Sequence, residues 1–299
     1  MLKEIIKMTQ PELFQTLIKN YQDNCIYKKG SFILVQGNAP VMLVAHLDTV
    51  HKEPVSHICT TEDGNILMSP QGIGGDDRCG VYALVSVYAK ANKRPWLLFT
   101  CDEEIGCVGA GTFCELYEKQ QLPDLGFLKY IVEIDRKGSS DAVYYDCENA
   151  DFEEYITSKG YKTAIGSFSD ISYVAPTIGV AAVNLSSGYY NAHTQHEFIN
   201  LSQLERTIEK VTEMVNESAS ETVPQFEYME VSFGGDYLYQ REFFDGEPYD
   251  YLSREGQEMY NELLAFYTKG ELDEEIFYFG EESIWDMYSE MFEALEMEV

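Results

Sequence analysis

Short, continuously apolar runs alternate with amphipathic segments along most of the chain. The amphipathic segments have helical periodicity at about 77–91, 108–119, 151–159 and 200–216. The apolar runs between them are typical of strands buried on both faces, namely SFILVQG, PVMLVAHLD, WLLFTC, FLKYIVEID and IGVAAVNLS, with a shorter strand near AVYY. This alternation predicts a three-layer α/β/α sandwich around a mostly parallel mixed sheet.

Local signals near the N-terminus predict one more helix and a pair of strands. Thr9 and Glu12 have the spacing of a capping box, and Pro11 suits the first turn, so a helix is predicted through LFQTLIKNY. A pair of strands is predicted around residues 55–69, on either side of the turn Asp63-Gly64-Asn65.

The last third of the chain differs in charge and in aromatic content. Residues 201–299 hold 26 of the 51 acidic residues but only 5 of the 21 basic ones. Residues 225–299 contain 18 aromatic side chains. We therefore predict a main α/β domain at 1–222 and an acidic, aromatic-rich extension at 223–299.

The extension is predicted to contain helices at about 252–268 and 281–297, because apolar residues recur there at helical spacing. We expect it to pack its aromatic face on the core. The alternative is an acidic docking surface, used by a protein partner or for self-association.

Composition excludes several classes of function. The net charge of -30 would repel a phosphate backbone, so no nucleic-acid partner is expected. No apolar run approaches the about 20 residues that a membrane helix needs, and the start MLKEIIKMTQPEL lacks the apolar stretch of a secretory signal. The seven cysteines show no CxxC spacing, which favours free thiols in the cytoplasm.

Candidate chemistry begins in VMLVAHLDTVH, at the end of an apolar run. His46 and Asp48 lie two positions apart, so both side chains project from the same face of a strand. A carboxylate beside an imidazole fixes the tautomer that leaves the other nitrogen for a metal. Alone, such a histidine is more often structural. His51 and His57 are interpreted as loop residues.

Acidic residues occur in two further motifs, one just before a predicted helix and one just after a predicted strand. In GIGGDDRCG, Asp76 and Asp77 come before a helix, where they would serve either as caps or as ligands. In LLFTCDEEIG, the segment 102–104 places three consecutive carboxylates after a buried strand. These repel one another and are costly to desolvate unless a cation lies close to them.

Two more polar groups complete the pattern. Glu133 and Asp135 share one face of the strand FLKYIVEID, and NAHTQHEF brings His193 and His196 after the last strand. Parallel sheets bind ligands at the carboxyl ends of their strands. The five motifs are therefore expected to converge on one edge of the sheet.

In this order, the segments AHLDTV, GGDDRCG, DEEIG, EID and NAHTQHEF resemble the zinc exopeptidases with a co-catalytic metal pair. That family includes aminopeptidases, carboxypeptidases, dipeptidases and N-acyl amino acid deacylases. The resemblance covers about residues 30–215 and implies a site for two Zn²⁺ per chain, with Co²⁺ or Mn²⁺ as substitutes. The implied ligands are His46 and Asp135 for one ion, Glu104 and His193 for the other, and Asp76 as the bridge between them.

The resemblance also implies roles for the residues around the ions. Glu103 would be the general base, and Asp48 would orient His46. The peptide bond that follows the bridging acid would be cis. Tyr189 or Tyr190 is a candidate oxyanion donor.

The spacing between motifs distinguishes branches of that family. Only 27 residues separate Asp48 from Asp76, and only 57 separate Asp135 from His193, so neither interval holds an inserted lid domain. The chain is most similar to the lidless aminopeptidase core, and acids near the site would attract a free amino terminus.

Alternatives to an aminopeptidase stay open at this point. Arg78 and Arg136 directly follow motif acids and would serve a dipeptide or an N-acyl amino acid substrate. In GSFSDISY, Asp170 is a candidate for a polar contact. An adaptor that binds metal and acts through its acidic extension is the other class of function.

Overall fold

The computed structural model describes residues 1–166 and 168–230 and, beyond them, residues 249, 252–264, 267, 269, 272, 275–276, 281, 283–285 and 287–288. The chain divides into two compact units, Met1–Val231 and Ser232–Val299. Among the described residues, no helix is both long and apolar enough to cross a membrane.

Twelve strands form two sheets in the first unit. They are β1 (Cys25–Lys28), β2 (Phe32–Val35), β3 (Val41–His46), β4 (Cys59–Thr60), β5 (Ile66–Met68), β6 (Trp96–Thr100), β7 (Tyr130–Arg136), β8 (Asp141–Val143), β9 (Lys162–Thr163), β10 (Ala182–Ser186), β11 (Tyr189–Tyr190) and β12 (Phe198–Asn200). The large sheet has the order β1-β2-β6-β3-β7-β10-β8-β9, and the small one β11-β12-β5-β4.

The centre of the large sheet is parallel. Strand β3 pairs in parallel with both β6 and β7, and β7 pairs in parallel with β10. Antiparallel pairs join β1 to β2, β2 to β6 and β8 to β10. The predicted mostly parallel mixed sheet is therefore confirmed.

Helices cover both faces of this sheet. They are α1 (Leu2–Ile6), α2 (Gln10–Asn20), α3 (Gly75–Lys90), α4 (Val108–Glu118), α5 (Ala150–Ser158), α6 (Ile171–Ile178) and α7 (Leu201–Glu217). Neighbouring residues of β3 enter different cores: Leu43 belongs to the core that includes residues of α1, α2, α3, α5 and α7, and Val44 belongs to the core that includes residues of α4 and α6. The three-layer sandwich is confirmed, and its strands are apolar throughout because both faces are buried.

Most elements lie where the sequence predicts them. The capping box forms, with the Thr9 backbone N–H donating to Glu12 Oε2 at 3.0 Å, and α2 follows it. The predicted turn at 63–65 joins β4 to β5. Helix α6 was not predicted because Pro176 lies inside it. Strands β11 and β12 were missed because two or three residues are too few to show a periodicity.

The second unit contains one described helix, α8 (Arg254–Leu263), where the first of the two extension helices was predicted. Ser253 caps it by accepting a hydrogen bond from the Gly256 backbone N–H at 3.0 Å. Of the second predicted helix, at 281–297, the described residues up to 288 are helical and the remainder lies outside the described residues. The packing of the extension on the core stays a prediction.

Candidate metal centre

The polar motifs meet at the carboxyl ends of the three central parallel strands. His46 is the last residue of β3, Glu103 and Glu104 lie just after β6, and Asp135 is the penultimate residue of β7. Because β6, β3 and β7 are adjacent, these side chains come together at one edge of the sheet, as expected.

A glycine-rich segment leads into α3 and places the start of this helix at the same edge of the sheet. Gly74 has a φ of +63°, and a Cβ on Gly75 would lie 2.6 Å from Cβ of Tyr189. These positions therefore require glycine. The peptide bond between Asp76 and Asp77 is cis, as the resemblance implied.

The two adjacent acids of this segment have different surroundings. Oδ1 of Asp77 accepts a hydrogen bond from the Gly80 backbone N–H at 2.7 Å and so caps the helix. Asp76 instead points its carboxylate at the histidines of the site. The capping role is confirmed for Asp77, and the ligand role of Asp76 stays a prediction.

The two oxygens of Asp76 contact two different histidines. Oδ1 lies 3.0 Å from Nε2 of His46, and Oδ2 lies 3.3 Å from Nε2 of His193. Asp135 Oδ1 is 3.5 Å from the His46 nitrogen, and Glu104 Oε2 is 3.1 Å from the His193 nitrogen. In each resulting triad the candidate ligand atoms lie within 4.8 Å of one another. The two triads share Asp76.

The donor set fits a metal pair. Burial, followed by the charge of Asp76, raises the pKa of Asp135 to about 7. Two buried carboxylate oxygens, Oε1 of Glu104 and Oδ1 of Asp135, have no hydrogen-bond partner among the described residues. Buried carboxylates of this kind call for a cation, and imidazole with carboxylate oxygens is a donor set that zinc accepts.

Asp48 holds three parts of the site together. Its Oδ1 lies 3.3 Å from Nδ1 of His46, which leaves Nε2 directed at Asp76. It also accepts hydrogen bonds from the backbone N–H groups of Glu103 and Glu104, both at 3.1 Å. Burial opposes ionisation of Asp48, but these hydrogen bonds hold its pKa below the usual range. Only the contact with His46 was predicted from the sequence.

Glu103 lies beside both triads. Its Oε2 is 4.0 Å from Nε2 of His46, and burial raises its pKa to about 9, with a further contribution from the charge of Asp135. His46, Glu103 and Glu104 also form a third group within ligand distance. The position of Glu103 thus suits a base next to the metals, and it also suits a ligand.

Solved peptidase structures share the architecture that carries this site. A tripeptidase from Staphylococcus aureus matches with a TM-score of 0.56 at 13% identity, over 73% of this chain and 96% of that chain. Aminopeptidase PepT from Bacillus cereus matches at 0.54 and 14% identity, over 73% and 97%. The TET1 peptidase of Pyrococcus horikoshii matches at 0.54 and 14% identity, over 72% and 98%. The fold is that of these peptidases.

At such low identity the likeness concerns the fold alone. It confirms the peptidase fold that the order of the motifs implied. No protein-family model matches the sequence, and no curated protein matches it.

Glu197 supports the loop that carries Gly74 and Asp76, and sequence reasoning missed it. The side chain is fully buried and accepts hydrogen bonds from the backbone N–H groups of Gly74 at 2.8 Å and Asp76 at 2.9 Å. Nε2 of His51 lies 2.9 Å from the same carboxylate. The only signal in the sequence was the position of Glu197 inside the last motif, NAHTQHEF.

We expect Glu197→Ala to weaken metal binding by about 10- to 100-fold, because the bridging acid would lose the support of its backbone. A competition titration with a chromophoric chelator measures the effect. Glu205→Ala is the control, since Glu205 pairs with Lys90 on the surface. Equal metal affinity in the two variants would show that Glu197 does not position the loop.

Three other residues that the sequence suggested for polar contacts make hydrogen bonds within the protein. The hydroxyl of Tyr189 donates to the Asp135 carbonyl at 2.6 Å, and that of Tyr190 donates to Gln203 Oε1 at 2.7 Å. In this structure both hydroxyl groups donate to partners inside the protein, and the role of either as an oxyanion donor stays a prediction. Asp170 is fully buried and accepts a hydrogen bond from the Thr100 hydroxyl, so its polar contact is internal.

The raised pKa values predict how stability varies with pH. Above about pH 5 the folded metal-free protein holds protons that the unfolded chain has released: Asp135 holds one up to about pH 7, and Glu103 holds one up to about pH 9. Stability therefore falls as the pH rises through this range. Metal ions displace the protons, so added zinc should raise Tm more at pH 8 than at pH 5.5.

Thermal unfolding followed at several pH values, with and without zinc, measures both effects. The fall should be smaller in Glu103→Gln, which carries one fewer buried acid. A zinc-dependent increase in Tm that is equal at both pH values would contradict the assignment.

Proposed function

We propose that the protein is a metal-dependent exopeptidase, most simply an aminopeptidase that removes N-terminal residues from peptides. The observation that carries the proposal is the sharing of Asp76 between two triads, each with one histidine and one further acid. Two ions that share a bridging carboxylate are typical of aminopeptidase centres. The names of the structural neighbours, a tripeptidase and two further peptidases, agree with it.

In this proposal His46, Asp76 and Asp135 would hold one zinc ion, and Asp76, Glu104 and His193 the other. When bound, the ions would polarise the scissile carbonyl and lower the pKa of the attacking water. Glu103 accepts the proton of that water and returns it to the leaving amine.

An aminopeptidase is favoured because acids predominate in the site, where Asp48 and Glu103 lie beside the three acidic candidate ligands. A free amino terminus is cationic and is attracted by such a site, whereas a substrate carboxylate needs a free cationic side chain. Arg78 is 4% exposed and donates to the backbone carbonyls of Leu47 and Met8. It is therefore poorly placed to bind a substrate carboxylate.

Arg136 supports a second candidate, hydrolysis of a dipeptide or an N-acyl amino acid. It follows Asp135 directly, and 26% of its side chain is exposed. Its Nη2 donates to the Ile165 carbonyl at 3.1 Å, and Asp141 Oδ2 lies 3.9 Å from its Nε. These contacts leave part of the guanidinium accessible to a substrate carboxylate.

The test compares three substrates with the zinc-loaded protein: a tripeptide amide with a free amino terminus, the same peptide acetylated, and an N-acetyl amino acid. We expect the free peptide to be cleaved about 100-fold faster than the acetylated one, with release of its first residue. Faster hydrolysis of the N-acetyl amino acid would favour the second candidate. Two bound ions without any hydrolysis would favour a metal-binding adaptor.

The extension remains a proposed surface for self-association or for a protein partner. The Pyrococcus horikoshii TET1 peptidase assembles into a tetrahedron or a large octahedral shell. Light scattering of the full-length protein would give its mass in solution, and a monomer would exclude self-association at the concentration used.

A further inference from the structure

A pocket of about 550 Å³ lies against one side of the metal centre. Asp48 and Glu104 form part of its lining, so it borders the motifs that hold the ions. The rest of the lining comes from the N-terminal residues 6 and 8–10, the loop 48–55, the segment 73–74, and the residues Arg78, Asp102 and Ile105. We refer to it as the side pocket. Its size falls within the range of about 300 to 1,000 Å³ that small-ligand sites occupy.

Apolar side chains line the side pocket next to the metal motifs. Val50 lies two residues after Asp48 and is 38% exposed, and Ile105 directly follows Glu104 and is 75% exposed. Val55 and Ile73, which are buried, belong to the same lining. Burying exposed apolar surface in a concave site stabilises a complex with an apolar group.

Two charged groups of the lining already have partners inside the protein. Asp102 Oδ1 accepts a hydrogen bond from Gln10 Nε2 at 2.8 Å, and the Arg78 guanidinium donates to the carbonyls of Leu47 and Met8. These two side chains are therefore poor anchors for a charged ligand. The exposed charges of Lys52 and Glu53 belong to the same lining, beside its apolar walls.

Hydrogen bonds join the N-terminal side of the pocket, residues 8–10, to Asp102 and Arg78. Gln10 makes two hydrogen bonds with Asp102, through its Nε2 at 2.8 Å and through its Oε1 to the Asp102 backbone N–H at 3.3 Å. The Met8 carbonyl accepts a hydrogen bond from Arg78 at 3.0 Å. The pocket is consequently preformed, which lowers the entropic cost of binding.

We propose that the side pocket binds one apolar side chain of the peptide substrate, next to the bond that is cleaved. Val50 and Ile105 contact this side chain, and residues 6 and 8–10 limit its length. The substrate class is peptides with a bulky aliphatic or aromatic residue beside the scissile bond. The inference rests on the proposed peptidase function, because it places the peptide relative to the metal centre.

The experiment uses the zinc-loaded, full-length protein and two series of tripeptides, in which either the first or the second residue is Gly, Ala, Leu or Phe. The parent should prefer Leu or Phe to Gly in at least one series. Ile105→Asn and Val50→Asn should each lower that preference in kcat/KM by about tenfold, mainly through KM. Ile26→Asn is the control, since Ile26 is 44% exposed on the edge strand β1 and does not line the pocket.

The outcomes separate the two proposals. Preferences that are the same in the parent and in both pocket variants, with metal content unchanged, overturn the side pocket but not the peptidase. A parent that hydrolyses none of the peptides overturns the peptidase function. In that case the binding of the Phe and Gly peptides, measured by calorimetry, still tests the side pocket. The side-pocket proposal is wrong if Ile105→Asn binds both peptides as tightly as the parent does.

Discussion

Replacing Glu103 by Gln is expected to lower kcat by about 10²- to 10⁴-fold, with both metal ions still bound. The amide keeps the shape of the side chain beside His46 but cannot accept the proton of the attacking water. KM should change little, because the base acts mainly in the transition state. Steady-state kinetics combined with metal analysis of the same sample measure the two properties.

Glu104→Gln should behave differently, although the two residues are neighbours. Glu104 Oε2 lies 3.1 Å from the His193 nitrogen, in the second triad, so its loss should reduce metal occupancy and activity together. Glu118→Gln, an exposed acid at the end of α4, is the control for charge removal. Loss of metal from Glu103→Gln would instead identify Glu103 as a ligand, which the third group of possible ligands permits.

The second large effect is expected at the bridging acid. Asp76→Asn changes the side chain whose two oxygens contact His46 and His193, and an amide cannot bridge two cations as a carboxylate does. The variant should hold fewer than about one ion per chain, where the parent holds about two. Hydrolysis should fall with the occupancy. Metal analysis after dialysis against trace zinc gives the stoichiometry.

The adjacent acid provides a matched control. Burial, followed by the charge of Asp135, raises the pKa of Asp77 well above its usual value, so its charged form is disfavoured. Asp77→Asn keeps an oxygen that can accept the Gly80 hydrogen bond and should therefore retain both ions. Equal metal loss in Asp76→Asn and Asp77→Asn would show that the segment, rather than the bridging carboxylate, matters.

Much of the sheet edge where the polar motifs meet could be predicted, because the sequence signals for it are local. An apolar run that ends in a polar residue places that residue at the end of a buried strand, as with His46 and Asp135. Parallel strands then bring their carboxyl ends to one edge, whatever the order of the strands. The roles of the ligands came from the resemblance in motif order, and they stay predictions until metal binding is measured.

Short-range periodicity was enough to predict the sandwich, the mixed sheet and the set of polar motifs at its edge. Which of Asp76 and Asp77 faces the histidines could be seen only in the folded chain, because both fit a helix start equally well. The folded chain also shows the support that Glu197 gives to Gly74 and Asp76, across more than one hundred residues of chain. Such contacts depend on how loops pack against one another, and no periodic pattern along the chain encodes that packing.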